Sequence, residues 1–279
     1  MISEKIDLYE YFKVERKGAT GGFLDVIART PLTEINPKIR PAILVIPGGG
    51  YNFLSDREGE PVALDFLADG YNAFVLRYSV NAAYPTPLLE ACLAVAYIRA
   101  NAQKLCTDAE HVAAAGFSVG GHLAGLLATL KDGELPEISK IAKNAHLNAV
   151  ILSYPVVTMG EWTHSGSRDV ICGGDEKLYE KLSVEKRADK NSAPAFIWHT
   201  FEDNCVPVKN SLLLAEAYQK AEIPFELHIF EKGWHGLSLS SDETSNQTEG
   251  DRALYCVGQW TKMSRKWLSS RGFTVKARQ

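Results

Sequence analysis

The 279-residue sequence has no long apolar run, no surplus of basic charge, no paired-cysteine motif and no internal repeat. Each absence removes a class of protein. The longest hydrophobic stretches, near residues 42–46 and 145–154, fall far short of the ~20 residues that cross a bilayer, so no membrane partner is expected. Lys and Arg number 30 against 34 Asp and Glu, a formal charge of −4, and no basic run stands out. Neutralising phosphates requires a positive face, so nucleic acid is not an expected partner. Glu4 and Asp7 stand where a secretory leader would be basic and then apolar, which leads to the expectation of a cytoplasmic protein. Cys92, Cys106, Cys172, Cys205 and Cys256 are odd in number and lack CxxC spacing, and they read as reduced thiols, not a disulfide frame or a zinc site.

With 46% hydrophobic and 23% charged residues, the composition is that of a globular chain with material for a large core. From residue 23 onward, short β-branched runs alternate with helix-patterned stretches, the signature of an α/β protein. Strands are expected over 23–29, 42–46, 73–78, 111–116, 147–154, 195–200 and 226–230, with a weaker edge strand over 5–14. Apolar spacings of three and four predict helices over 58–68, 87–101, 119–130, 208–221 and 252–270. The sum is a mostly parallel central sheet of about eight strands with helices on both faces. No linker divides the chain, so a single domain over 1–279 is expected, with lid-like insertions near 156–191 and 238–250.

Gly116-Phe117-Ser118-Val119-Gly120 matches G-x-S-x-G directly after a predicted strand and before a predicted helix. That context suits a sharp turn presenting a nucleophilic serine, with small flanking residues that avoid neighbouring backbone. The free N–H groups of the helix start lie close to the serine, where a developing oxyanion is favoured. Pro47-Gly48-Gly49-Gly50-Tyr51 follows another strand, and consecutive glycines let backbone N–H groups aim at one point. The oxyanion donors are accordingly assigned to Gly49, Gly50 and Val119.

A serine needs an imidazole base, itself oriented by a carboxylate, in the chain order serine, acid, histidine. His235, in Gly233-Trp234-His235-Gly236, lies in a glycine-flanked loop after one strand, and Asp203 follows another. Asp175, after Gly173-Gly174, is the runner-up acid. His122, on the helix behind the serine, reads as packing; His199, within a strand, reads as a hydrogen-bonded core histidine. His111, His146, His164 and His228 have no glycine-loop context.

The motifs G-F-S-V-G-G-H, P-G-G-G-Y, E-D-N-C-V-P and G-W-H-G together resemble the α/β-hydrolase superfamily. More narrowly, the chain is similar to its small carbohydrate-esterase-like branch, the acetyl-xylan-esterase or sugar-hydrolase group with feruloyl-esterase-like and kynurenine-formamidase-like relatives. The resemblance runs from about Phe23 to the last helix. Many relatives have His where this chain has Pro47, which weakens ties to hormone-sensitive-lipase-like enzymes. The resemblance implies an α/β-hydrolase fold and a serine esterase that needs no metal or organic cofactor. Its expected partner is a small-molecule ester, an acylated sugar above all, and a homo-oligomer is left open. Tyr51, Arg57, Glu58, Trp162 and Trp234 are candidate substrate contacts, the two tryptophans by stacking on a sugar face. Amide or peptide hydrolysis, short-chain lipid esterolysis and a non-catalytic binding protein are the competing readings. If Asp203 orients the base, Asp203→Asn should lower turnover of a simple acetyl ester by roughly 10⁴-fold. Asp175→Asn should change it little; a larger loss from the second substitution would assign the acid to Asp175.

Overall fold

The computed structural model describes residues 1–277 apart from residue 33, so the expected domain over 1–279 includes three positions outside the described residues. The strands are β1 (Ile2–Asp7), β2 (Phe23–Ala28), β3 (Lys38–Ile46), β4 (Asn72–Arg77), β5 (Thr107–Phe117), β6 (Ala149–Ser153), β7 (Ala195–Thr200), β8 (Phe225–Phe230) and β9 (Lys276–Ala277). They form one sheet in the order β1-β2-β4-β3-β5-β6-β7-β8, and β9 pairs with the start of β3. From β4 through β8 all neighbours are parallel; β1, β2 and β9 join antiparallel.

The central strands are apolar on both faces because helices cover both. Ala42, Leu44 and Ile46 of β3 pack with Leu93 and Leu123, from the helices Thr86–Ala100 and Val119–Ala128. Ile43 and Val45, pointing the other way, pack with Phe66 and Trp260, from the helices Glu60–Ala68 and Trp260–Ser269. Near-continuous apolar runs are what a doubly covered parallel sheet requires. The stretch 156–191 carries three short helices and buries Val156, Met159, Ile171 and Leu182 in the first of these cores.

Three departures from the sequence expectation have local causes. The weak strand over 5–14 is a strand only to Asp7; the Asp7 carboxylate accepts from the N–H groups of Tyr9 and Glu10 and caps the helix Leu8–Phe12. The last helix is interrupted over Tyr255–Gln259, where Gly258 presses on the loop before it, its absent Cβ lying 2.6 Å from the Leu239 carbonyl oxygen. Strand β9, only two residues long, has no apolar pattern to reveal it.

The approach of the helix Val119–Ala128 to β3 leaves no room for a side chain. A Cβ at Gly120 would stand 2.1 Å from the Ile46 carbonyl oxygen and 2.4 Å from that of Pro47, both backbone atoms that cannot move aside cheaply. Gly120→Ala is therefore expected to destabilise the protein by about 3 kcal/mol or more. Denaturant unfolding reads this directly, and an unchanged midpoint would show that the contact yields.

Candidate active site

The four loops that carry the expected motifs follow β3, β5, β7 and β8 and meet at the carboxyl ends of these parallel strands, where open α/β sheets bind ligands. Ser118 occupies the turn between β5 and the helix Val119–Ala128 with φ 54° and ψ −118°, a conformation that L residues seldom adopt. The turn is held by its neighbours: the Ser118 N–H donates to the Ser153 carbonyl, and the Ser118 carbonyl accepts from Val156.

His235 Nε2 lies 2.8 Å from Ser118 Oγ, and His235 Nδ1 lies 2.6 Å from Asp203 Oδ2. The carboxylate only accepts, so Nδ1 carries the proton of the neutral ring, and Nε2 is left to accept from the serine hydroxyl. The imidazole rests edge-on against Tyr154, with ring centroids 5.1 Å apart. Burial alone pushes the Asp203 carboxyl up; hydrogen bonds from His199 and His235, the His235 charge and the Val206 N–H outweigh burial and hold it well below the usual carboxylate range. The second oxygen accepts from the N–H groups of Cys205, at 3.0 Å, and Val206, at 2.8 Å.

His199 stands behind this acid, fully buried, as the sequence reading of a hydrogen-bonded core histidine expects. Its Nε2 faces the Val206 carbonyl at 2.8 Å and Asp203 Oδ2 at 3.3 Å, and its Nδ1 faces Ser211 Oγ at 2.8 Å. Asp175 is exposed and accepts from the Lys177 N–H, apart from the histidines.

The glycine loop after β3 lies beside Ser118, and among the described residues no group accepts from the N–H groups of Gly49, Gly50 or Val119. Gly49 at φ 119° and Gly50 at φ 66° use backbone conformations that favour glycine. Val119 begins the helix after Ser118, and a helix start favours negative charge. Among the described residues no three His, Cys, Asp or Glu side chains are grouped to hold a metal ion.

A cleft of about 270 Å³ opens over Ser118 and His235, walled by Asn52, Phe53, Ser55, Arg57, His164 and Cys205. Of the five side chains expected to touch substrate, only Arg57 stands free in this wall. Tyr51 turns inward at φ 62°, is fully buried, and its hydroxyl donates to His122 Nδ1 at 2.8 Å; His122 Nε2 in turn donates to the Leu182 carbonyl. Burial holds the His122 pKa down at about 4, as suits a packing histidine. Glu58 reaches the rim of the cleft but is 3% exposed, and both of its oxygens bond within the protein. Trp162 and Trp234 are half-exposed and lie outside the cleft wall. Sequence reasoning passed over Phe53 and His164. Phe53 follows the glycine loop and is 62% exposed, an apolar surface that burial would favour. His164 caps the helix Ser165–Cys172: its Nδ1 accepts from the Ser167 N–H, which puts the neutral ring's proton on Nε2. Burial first, and then the neighbouring His235, lower its pKa and favour that neutral form. Its place directly before the Ser-Gly-Ser helix start was the available signal.

The parallel sheet, the serine elbow and the acid and histidine on successive strand-end loops define an α/β-hydrolase fold. A family model described as BD-FAE matches residues 30–218, and the chain belongs to that family. It is 42% identical to endo-1,4-beta-xylanase B of Butyrivibrio fibrisolvens over 73% of this chain and 33% of that protein. It is 29% identical to acetylxylan esterase of Xylanibacter ruminicola over 81% of this chain and 46% of that protein. The chain spans about a third to three fifths of the length of the curated relatives it matches. The crystal structure of an acetyl ester-xyloside bifunctional hydrolase from Caldicellulosiruptor lactoaceticus superimposes with a TM-score of 0.79 at 38% identity, covering 90% of this chain and 88% of that one.

The depressed Asp203 pKa makes stability depend on pH with a definite sign. A carboxylate whose folded pKa lies below its unfolded value stabilises the fold above about pH 4, and that contribution is lost as pH falls through the folded value. Asp203→Asn should therefore melt below the native protein at pH 7, and the gap should narrow as pH drops below about 4. Thermal unfolding across that range checks it; a gap that widens in acid would contradict the inferred shift.

Proposed function

We propose that the protein is a serine esterase that removes small acyl groups, acetyl above all, from carbohydrates. The hydrogen-bonded chain from Asp203 through His235 to Ser118, set beside backbone donors that have no protein partner among the described residues, carries the reading. In this reaction Ser118 Oγ attacks the acyl carbon while His235 Nε2 takes its proton, and the Val119, Gly49 and Gly50 N–H groups hold the oxyanion. Collapse breaks the bond to the alcohol, which leaves with the proton from His235. Water then repeats the attack on the acyl-enzyme, releasing the acid and restoring Ser118. Asp203 keeps the imidazole in the tautomer the first step needs.

The substrate class rests on two supports. The names of the relatives include acetylxylan esterase and an acetyl ester-xyloside hydrolase. The cleft, about 270 Å³, lies near the small end of ligand sites and mixes Asn52, Ser55, Arg57 and His164 with a single aromatic ring. A long acyl chain gains roughly 0.8 kcal/mol per methylene only where apolar walls receive it. Short acyl groups on a hydroxyl-rich alcohol suit these walls better.

A chain-length series of aryl esters, run with acetylated xylo-oligosaccharides, tributyrin and an aryl amide, tests the reading. Activity should fall steeply beyond about four acyl carbons, the acetylated sugars should exceed the triglyceride and the amide, and Ser118→Ala should lose about 10⁴-fold or more. An optimum at octanoate would favour a lipid esterase, and preference for the amide would favour an amidase. Turnover or fluorophosphonate labelling retained by the Ser118→Ala protein would remove the serine mechanism.

A further inference from the structure

Glu58 is a charged residue in the exposed turn that follows the glycine loop, yet it is 3% exposed and no basic side chain pairs with it among the described residues. Its Oε2 accepts from the Gly48 N–H at 2.9 Å, and its Oε1 accepts from the Tyr154 hydroxyl at 2.7 Å. Gly48 directly precedes the proposed oxyanion donors, and its backbone lies against the nucleophile: a Cβ there would fall 2.9 Å from Ser118 Cβ and 2.8 Å from Glu58 Oε2. Tyr154 is fully buried at the end of β6 with φ 36°, and its ring supports His235. Its hydroxyl oxygen also accepts from the Ser238 N–H at 2.9 Å, three residues beyond His235. The Ser238 hydroxyl closes the circuit by donating to the Arg57 carbonyl, next to Glu58.

We infer that Glu58 is a positioning residue that ties the loop bearing the oxyanion donors to the loop bearing His235, through Gly48 on one side and Tyr154 and Ser238 on the other. The inference rests on the proposed ester hydrolysis, because only a reaction that needs serine, histidine and oxyanion donors in register would register this tie as rate. Glutamate suits the task because it is an acceptor at both oxygens, so one side chain receives a backbone N–H and a phenol at once. Tyr154 keeps its proton for this bond: burial first, then Glu58, push its phenol well above the ordinary value. Both Glu58 oxygens are engaged within the protein and not offered to the cleft, so loss of the tie should appear in the chemical step and not in substrate capture.

The test is a double-mutant cycle on p-nitrophenyl acetate, using Glu58→Ala, Tyr154→Phe and the pair, with Glu58→Gln as the conservative variant and Glu216→Gln, an exposed helix position, as control. Glu58→Ala should lower kcat by about 10²-fold, as expected when catalytic groups drift by an ångström, with KM within about twofold. Tyr154→Phe should lower kcat by about tenfold, and the pair should lose no more than Glu58→Ala alone, because both substitutions cut one connection. Glu58→Gln keeps one acceptor and should recover most of the loss, and affinity for a boronic acid that adds to Ser118 should fall in parallel with kcat. Multiplicative losses in the pair, a loss confined to KM, or full kcat in a folded Glu58→Ala protein would each overturn the inference. If Glu58→Ala does not fold, as judged by circular dichroism, the cycle is run with Glu58→Met, which fills similar space without the two carboxylate oxygens, and Tyr154→Phe, and is decided by the same coupling. A wild-type protein that neither hydrolyses acetyl esters nor reacts with fluorophosphonate would instead remove the proposed function; an active wild type with uncoupled variants removes only the role of Glu58.

Discussion

The first turn of the helix after Ser118 lies directly on the end of β3, and the rest of the site follows from that contact. Gly120 has backbone where a Cβ would be, with the Ile46 carbonyl oxygen 2.1 Å from that position. That separation brings the helix start and the glycine loop to the two sides of Ser118. The turn has a conformational cost, visible in the positive φ of Ser118. The cost is sustained by a sheet whose β3 and β5 share a long parallel register, from Ala42 with Val112 to Ile46 with Gly116. A rigid platform is what allows strained residues at its edge to keep one conformation.

Electrostatics then sorts the polar groups by what each can donate. Asp203 receives donors at both oxygens and stays ionised in a buried position, where desolvation alone would favour the neutral acid. The same low-dielectric surroundings make His122, with no carboxylate partner, a poor cation, and its pKa falls to about 4. Two buried histidines thus serve opposite ends: His199 supports the acid, and His122 anchors Tyr51 and the helix. Partners, more than burial, separate those roles.

Much of this was legible because the fold and the nucleophile turn write themselves in local sequence. Doubly covered strands must be apolar runs, and the run over 195–200 coincides with β7 residue for residue. The elbow must have glycine where backbones cross. The side chains around the cleft are harder, because their direction is set by tertiary partners far along the chain. Tyr51 looked like a residue at the mouth, but its positive φ carries it to His122, 71 residues on. Glu58, in a charged turn, was expected to touch substrate, but one of its oxygens is taken by Tyr154, 96 residues away. Trp162 and Trp234 are exposed as a sugar platform would require, yet they stand outside the cleft wall. His164 was set aside as an isolated histidine in an irregular stretch, although its capping position fixes its tautomer.

The shape of the cleft and its chemistry bear on each other. Phe53 offers an exposed aromatic face at one wall, a surface that stacks on an apolar ring face or a short acyl group. Arg57 and the Nε2–H of His164 are donors, and a polyhydroxylated alcohol offers many acceptors where a fatty alcohol has one. A donor buried without an acceptor costs more than a missed apolar contact, so on the proposed function these groups would discriminate chiefly against alcohols that lack hydroxyls. In the proposed reaction His235 meets only the reacting oxygen of the alcohol and the backbone donors only that of the acyl group, so neither reads the rest of the alcohol. On the proposed function, selectivity for a sugar would therefore come from the side chains of the cleft wall, Phe53 and Arg57 after the glycine loop and His164 at its helix start, and not from the groups that meet the acyl carbon.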